Sequence, residues 1–298
     1  MQIRASLFRP QARSSLLKKL IITADDFGLA LPVNEAVAES HRLGVLTTTS
    51  LMVGAPAAVD AVERARRLPS LRVGLHIVLV EGRPVLPPRQ VPDLVDRRGE
   101  FSVHLVRAGF NFCRPGVRRQ LEAEIRAQFE EFRKTGLNLD HANAHNHMHI
   151  HPTLMGLIAK IGRDYGLRSV RFPFEPPLLS WQATRRSLAP KLAAAVFLSP
   201  WLKIMRARMR GAGLRTNDRV FGIADSGKMT IALVLEFMRL LPEGVTEIYF
   251  HPATRRCPEI MSTMPEYRHE EEYKALIDPA FADAIAKAGA QRISFSDL

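Results

Sequence analysis

Apolar runs and amphipathic runs alternate along the chain. Short runs rich in β-branched residues are typical of buried strands, and apolar positions repeating every three to four residues are typical of helices. The predicted strands cover residues 20–25, 47–53, 71–79, 137–142, 168–172, 246–250 and 292–295. The predicted helices cover residues 33–43, 56–68, 118–134, 153–165, 230–241 and 279–288.

This alternation predicts βαβ units, which build a parallel sheet. Seven or eight such units in 298 residues favour a (β/α) barrel over an open doubly wound sheet. No G-x-G-x-x-G or Walker A sequence follows a predicted strand, so a nucleotide-binding fold has no local support. We therefore expect an α/β protein with one distorted (β/α) TIM-like barrel over residues 20–298. A frayed basic extension over residues 1–19 precedes it, and a basic, apolar helical insert interrupts it over about residues 178–219.

Composition is that of an ordinary soluble protein, with 46% hydrophobic and 24% charged residues. The two cysteines, Cys113 and Cys257, are far apart, which argues against a disulfide scaffold and favours a reducing compartment. The N-terminus lacks the pattern of a signal peptide, and no run of about 18 uncharged apolar residues predicts a membrane span. We expect a cytoplasmic protein, with a peripheral position on the inner face of the cytoplasmic membrane as a further possibility.

The net charge of +12 is concentrated in one segment. Residues 185–219 contain nine arginines or lysines against one acid, Asp218, together with many apolar residues. That combination favours contact with an anionic membrane surface or with an apolar substrate. A solvated helical pair packed on the domain is the structural alternative. Nucleic-acid binding is the least favoured interpretation, because no nucleic-acid motif accompanies the charge.

The first predicted strand ends in two acids, Asp25 and Asp26. Because side chains alternate along a strand, both acids can face one side only if the backbone turns there. Two neighbouring carboxylates repel each other unless a cation or a shared proton relieves them. A solvated acid pair at the start of a loop is the alternative interpretation.

Five of the ten histidines fall within eleven residues. In an extended segment His145, His147 and His149 would point the same way. Two further histidines, His76 and His251, follow other predicted strands. In a parallel barrel the carboxyl ends of the strands carry the chemistry. Two imidazoles and a carboxylate suit a catalytic metal ion, and a second acid nearby suits proton transfer from water.

Three sequence elements carry a family resemblance: Thr-Ala-Asp-Asp-Phe-Gly at residues 23–28, Gly-Leu-His at 74–76, and the histidine-rich stretch before Pro152. Together they resemble the YdjC-like carbohydrate deacetylases, from about Leu20 to the C-terminus. The longer string Gly-Leu-His-Ile-Val-Leu-Val-Glu-Gly-Arg-Pro-Val-Leu-Pro-Pro, from Gly74, is similar to the branch associated with hopanoid biosynthesis. The resemblance implies a distorted barrel and metal-assisted amide hydrolysis.

The resemblance also implies roles for individual residues. Asp26, His76 and His145 would hold one divalent cation, Asp25 would be the general base, and His251 would protonate the leaving amine. A set of two histidines and one aspartate suits zinc, and coordination rich in water would tolerate magnesium.

Two further residues are implied on the substrate side. Arg171 would meet the sugar or orient Asp25, with a salt bridge at the end of the barrel as the structural alternative. His147 would face the substrate or support a metal ligand. The chain departs from the family pattern His-x-Asp-Ser-His, because Asn143 stands at the position of the acid, which removes a charged partner for a ligand histidine.

The function implied is removal of the N-acetyl group from an N-acetylglucosamine-type sugar, linked to a lipid as in an N-acetylglucosaminyl hopanoid. A deacetylase of soluble chitooligosaccharides is the alternative within this class. A metal-dependent phosphoesterase and a non-catalytic membrane-binding protein are the alternatives from other classes. The expected partners are an acetylated glycolipid and an anionic membrane surface, without nucleic acid; the oligomeric state is left open.

Overall fold

The apolar runs of the chain form one parallel sheet in the computed structural model, which describes residues 17–186 and 188–298. Within these residues the strands are β1 (Lys18–Phe27), β2 (Thr48–Leu51), β3 (Arg72–Ile77), β4 (Leu139–Ala144), β5 (Arg219–Phe221), β6 (Gly244–Phe250) and β7 (Gln291–Ile293). Their order is β4-β3-β2-β1-β6-β5, and β7 also pairs with β1. The parallel α/β arrangement predicted from the alternation is confirmed.

Strand β1 lies at the centre of the sheet. Its apolar residues Leu20, Ile22 and Ala24 are fully buried, as expected of a strand covered on both faces. The helices that cover the sheet are α1 (Leu31–Leu43), α2 (Ala58–Arg66), α3 (Leu105–Phe112), α4 (Pro115–Lys134), α5 (Pro152–Asp164), α6 (Pro177–Thr184), α7 (Leu188–Gly211), α8 (Ile231–Arg239), α9 (Pro258–Thr263), α10 (His269–Ile277) and α11 (Pro279–Lys287). The sheet curls into a half-barrel, consistent with a TIM-like barrel.

The strand predicted at residues 168–172 is wrong. Only Ser169 and Val170 form single bridges there, to Arg215 and Ala142. The backbone N–H of Phe172 donates to the side-chain oxygen of Asn217 at 2.7 Å, and the Asn217 amide donates back to the Phe172 carbonyl at 3.0 Å. At Phe172 a side chain therefore occupies the backbone groups that would have paired with a neighbouring strand, whereas Arg171 still donates to the carbonyl of Ala142 at 3.1 Å.

The predicted N-terminal extension is too long by two residues. Lys18 and Lys19 already belong to β1, where they pair with Gly244 and Val245 of β6. The backbone hydrogen bonds of that pairing hold them in the sheet. The predicted extension over residues 1–16 lies outside the described residues.

Helices α6 and α7 occupy most of the predicted insert over residues 178–219. In the described part of the chain, α7 is the one helix whose length and composition would let it cross a membrane. It meets those criteria although Lys191 and Lys203 interrupt its apolar residues, which is why no uncharged apolar run marks this helix in the sequence. Length and composition alone do not show that it spans a bilayer.

Candidate active site

The acid pair lies in a bulge at the carboxyl end of β1. Ala24 pairs with Thr49 of β2 and Phe27 pairs with Leu51, so three steps along β1 face two along β2. Asp26 takes a left-handed backbone conformation with φ 63°, which is uncommon for a residue other than glycine. This is the turn that both acids require in order to face the same region.

Asp26 meets two histidines from other strands. Its Oδ1 atom lies 3.2 Å from Nε2 of His76, at the end of β3, and 3.1 Å from Nδ1 of His145, just after β4. The two nitrogens are 3.3 Å apart. Zinc with four ligands at about 2.0–2.1 Å in a tetrahedron separates them by about 3.3–3.4 Å. The spacing therefore fits a divalent cation, and the buried Oδ2 of Asp26 has no hydrogen-bond partner among the residues that the structure describes.

Neighbouring polar groups set the orientation of His76. Its Nδ1 atom lies 2.7 Å from the side-chain oxygen of Asn143 and 3.0 Å from Oγ of Ser50. Because an amide oxygen only accepts, the ring proton belongs on Nδ1, which leaves Nε2 free to bind a cation. Asn143 therefore orients a ligand histidine without supplying a charge, and its amide also donates to Oδ1 of Asp25 at 3.1 Å.

Asp25 is held by a buried arginine. Arg171 donates to Oδ2 of Asp25 at 2.5 Å and to Oδ1 at 3.0 Å, and the hydroxyl of Ser50 donates to Oδ1 at 2.7 Å. Burial disfavours the charge on Asp25, but the guanidinium outweighs it and holds the pKa of this carboxyl well below its usual range. The ionised form is therefore the resting form of Asp25.

Arg171 itself lies behind the pocket rather than on its wall. It is fully buried and also donates to Glu247 of β6, from Nη2 at 2.7 Å and from Nε at 3.0 Å. Its pKa is raised, because the two carboxylates outweigh the cost of burial. This placement fits the orienting role or the salt-bridge alternative for Arg171, and not contact with a sugar.

The histidine-rich segment is not extended, and the prediction that His145, His147 and His149 project together is wrong. Asn146 and His147 have φ values of 51° and 52°, so the chain turns within the segment and the alternation of an extended strand does not apply. His147 lines the pocket, and its Nε2 atom lies 2.8 Å from the hydroxyl of Tyr249. Burial holds the pKa of His147 well below its usual range, so it is neutral.

Two of the clustered histidines are structural. His141 is fully buried, bonds Asp140 at 2.9 Å and stacks on Phe295 at 4.3 Å between ring centres. His149 is also fully buried, and its Nδ1 atom accepts from the backbone N–H of Ala144 at 3.2 Å. Fewer of the clustered histidines are therefore available to bind a cation or a substrate than their number in the sequence suggests.

His251, after β6, faces the same pocket as Asp25, His76 and His145. Its ring packs against Tyr267 with 5.1 Å between centres, and within residues 17–186 and 188–298 its Nδ1 atom has no hydrogen-bond partner. Burial lowers the pKa of His251 to about 4 despite the nearby acids. The ring is therefore neutral near pH 7.

Several residues of the site were not predicted from the sequence. Tyr249, Tyr267 and Ser226 line the pocket, and Glu81 lies 3.6 Å from Nε2 of His145. Glu247, the acid that bonds Arg171, was also not predicted, although an acid inside an apolar strand is a signal that could have found it. Tyr249, Tyr267, Ser226 and Glu81 stand in segments whose composition does not distinguish them from ordinary core or loop residues.

A half-barrel with three side chains that could hold a metal ion at the carboxyl ends of its strands, and an ionised acid beside them, defines an α/β protein with a candidate metal-dependent active site. Sequence comparison gives the family. A model of the YdjC-like protein family matches residues 19–287, and the chain belongs to this family.

Individual relatives differ in how much of the chain they match. A carbohydrate deacetylase of Geobacillus stearothermophilus is 30% identical over 279 residues, which cover 93% of this chain and 97% of that protein. A carbohydrate deacetylase of Brevibacillus brevis is 39% identical over 156 residues, and the match spans 60% of its length and 52% of this chain. A solved structure from Enterococcus faecalis V583, provisionally named a cellobiose-phosphate cleavage protein, has a TM-score of 0.75 at 25% identity. That match covers 94% of this chain and 98% of the other.

Proposed function

We propose that this protein removes the N-acetyl group from an acetylated amino sugar by metal-dependent hydrolysis. The observation that carries the proposal is the ionised carboxylate of Asp25 on the wall of a pocket that also exposes the candidate ligands His76 and His145. The relatives support a sugar as substrate, because the Geobacillus protein that matches 93% of this chain is named a carbohydrate deacetylase.

Asp26, His76 and His145 would hold the cation. Two imidazoles and one carboxylate are typical of catalytic zinc, and magnesium, which prefers oxygen ligands and water, is the less suited alternative. A bound cation of this kind makes water more acidic and polarises an acyl oxygen. The chain's own residues then have to move the protons and hold the substrate.

Asp25 is the proposed proton acceptor. Its Oδ1 atom already accepts hydrogen bonds from Ser50, Asn143 and Arg171, whereas Oδ2 accepts from Arg171 alone. Oδ2 is therefore the atom with a free lone pair for the proton of an attacking water. The depressed pKa keeps Asp25 ionised at neutral pH but weakens it as a base, so the transfer would depend on a cation that makes the water more acidic.

His251 is the proposed proton donor to the leaving nitrogen. The ring is neutral at rest, so the proton that Asp25 accepts from water would pass to His251 and then to the leaving nitrogen, and the pKa of about 4 makes the protonated ring a strong acid. His147 is proposed to contact a sugar hydroxyl through Nδ1, since Tyr249 occupies its Nε2 atom and no described residue bonds to Nδ1.

The proposed substrate is linked to a lipid, as in an N-acetylglucosaminyl hopanoid, and the surface of α7 supports this. Phe197 is 83% exposed and Val196 is 72% exposed, and no acid occurs in the helix. The C-terminal half of α7 packs on the domain through buried Met205, and Trp201 donates to the carbonyl of Ile150 at 2.7 Å. That attachment favours a helix lying on an anionic membrane over one that crosses it.

Helix α3 carries a second exposed apolar surface, which also lies next to the histidine-rich segment. Val106 and Phe110 are each 76% exposed, and Phe112 at the end of the helix packs edge-on against His151. Because Ile150 contacts α7 and His151 contacts α3, both helices flank the histidine segment of the site. We propose a peripheral position on the inner face of the cytoplasmic membrane.

The experiment that tests the function is mass spectrometry of the purified protein mixed with an acetylated glycolipid extract and, separately, with a soluble N-acetylglucosamine oligosaccharide. We expect loss of one acetyl mass and release of acetate. Asp25→Asn should lower turnover by at least about a hundredfold with its metal content unchanged, because it removes a proton acceptor and no ligand. Acetate release by this variant at the wild-type rate would refute Asp25 as the base, and no acetyl loss from either substrate by the metal-loaded wild type would refute the function.

A further inference from the structure

Glu81 lies beside His145 on the side away from the other candidate ligands. The Nδ1 atom of His145 faces Asp26 at 3.1 Å and His76 at 3.3 Å. Its Nε2 atom faces Oε2 of Glu81 at 3.6 Å. The two ring nitrogens thus have separate neighbours. The neighbours of Nδ1 are the other candidate ligands, and the neighbour of Nε2 can fix the position of the ring's proton and the orientation of the ring.

Glu81 has a backbone conformation that is unusual for a glutamate in a loop. Its backbone has φ 51°, a left-handed conformation that is costly for a side chain other than glycine, asparagine or aspartate. Its N–H donates to the carbonyl of Ser102, and the carbonyl of the next residue, Gly82, accepts from Phe101 at 2.8 Å. Segment 101–102 therefore fixes the turn that carries Glu81.

The segment on both sides of Glu81 is anchored to α4. Buried Gln128 bonds both backbone groups of Val78, and buried Glu124 accepts from the backbone N–H groups of Val85 and Leu86. The carboxylate of Glu81 also accepts from the side-chain amide of Asn146 at 2.8 Å. Asn146 is itself in a left-handed conformation, with φ 51°. The carboxylate of Glu81 thus links its own strained turn to the strained turn at Asn146, the residue after His145.

We propose that Glu81 is the positioning residue of the site: it directs Nδ1 of His145 toward the cation, holds the proton on Nε2, and secures the turn that places His147 on the pocket wall. Asn143 brings no charge to the ligand histidines, so Glu81 is the acid that supplies one. The inference rests on the proposed metal site and is separate from the identity of the substrate.

The test measures zinc affinity by competition with a chromophoric chelator, together with kcat, KM and thermal unfolding. Glu81→Gln keeps an acceptor for Asn146 and loses the charge. Glu81→Gly relieves the backbone strain and loses the side chain. We expect zinc affinity to fall about 10–100-fold in Glu81→Gly and by less in Glu81→Gln. We expect kcat to fall with it, while KM changes little and the metal-free variants still unfold cooperatively.

The matched control is Glu100→Gln, an exposed glutamate close to segment 101–102 that bonds Arg83 and should leave zinc affinity unchanged. Zinc affinity within twofold of the wild type in both Glu81 variants would overturn the proposal. Complete loss of zinc stoichiometry in Glu81→Gln would also overturn it, because it would make Glu81 a ligand. A wild type that binds zinc but deacetylates nothing would refute the proposed function and leave this inference standing.

Discussion

At the scale of single residues, the site depends on how its neighbours change each side chain's charge. Asp25 and Asp26 are adjacent and both buried, yet both stay ionised for different reasons. Arg171 neutralises Asp25 directly. In the metal-free protein, His145 carries the balancing charge for Asp26, and a cation would replace it there. One acid therefore remains free for proton transfer while the other is available as a ligand.

This exchange of charge predicts how metal binding depends on pH. Burial opposes a charge on His145, but Asp26 and Glu81 outweigh it and raise its pKa to about 10 in the metal-free protein. A cation must displace that proton, so its apparent affinity should rise about tenfold per pH unit below pH 10. The raised pKa also stabilises the metal-free fold, fully below about pH 6.5 and progressively less as the pH rises through about 10.

Calorimetric titration of the metal-free protein with zinc, in buffers of different ionisation enthalpy, measures this coupling. We expect release of about one proton per ion at pH 7. His145→Ala should lose the bound metal, and His104→Ala, which changes an exposed histidine on the surface, should bind as the wild type does. Metal affinity that does not change between pH 6 and pH 8 would contradict the assignment of His145 as a ligand.

At the scale of elements, the carboxyl ends of the strands are held by helices that follow later in the chain. Glu272 of α10 is fully buried and accepts from the backbone N–H groups of His251 at 2.5 Å and of Met229 at 2.9 Å. His269, one turn earlier in α10, bonds the carbonyl of His251 at 2.7 Å. Helix α10 therefore fixes the end of β6 and with it the proposed proton donor.

Removing this contact should cost stability. Glu272→Ala leaves two buried backbone donors without acceptors, so we expect the free energy of unfolding to fall by about 2–4 kcal/mol. Urea unfolding followed by circular dichroism measures the loss. Glu270→Ala, an exposed change in the same helix, should stay within about 0.5 kcal/mol of the wild type. Equal stabilities of the two variants would show that α10 does not hold β6 through Glu272.

At the scale of the whole molecule, positive charge and exposed apolar area coincide on α6, α7 and the residues around them. Nine of the 42 arginines and lysines lie in residues 185–219 with a single acid. The most exposed apolar side chain there, Phe197, belongs to the same helix as Lys203 and Arg208. A surface of this kind is suited to anionic lipid headgroups, with the apolar side chains entering the interface.

Vesicle flotation tests this surface. The wild type should float with vesicles that contain anionic lipid, less with neutral vesicles, and less again at high salt, because charge attraction is screened. The double variant Val196→Ser/Phe197→Ser should weaken binding by at least about tenfold, since two apolar side chains no longer leave water. Val59→Ser, which changes an apolar residue that is 75% exposed on α2, is the matched control. Equal flotation of all three proteins would exclude α7 as the membrane contact.

Much of the architecture could be predicted from the sequence, because strand and helix patterns are local. The parallel sheet, most of its strands and a cluster of acids and histidines at the strand ends follow from apolar runs that end in polar residues. The cluster could be anticipated because the carboxyl ends of parallel strands meet at one edge of a sheet, and the family resemblance selected Asp26, His76 and His145 within it. The strand predicted at residues 168–172 is reduced to single bridges, and the partner of Phe172, Asn217, lies 45 residues later in the chain.

The sequence by itself determined which residue types stand at the strand ends, and hence the class of chemistry that is possible there. The tertiary structure alone decided which histidines face the pocket, since two left-handed residues reverse the chain between His145 and His149. It also decided that Arg171 contacts Asp25 and that Glu81 lies beside His145, because these partners come from distant segments. Charge and orientation at the site depend on such long-range contacts, which no local pattern in the chain encodes.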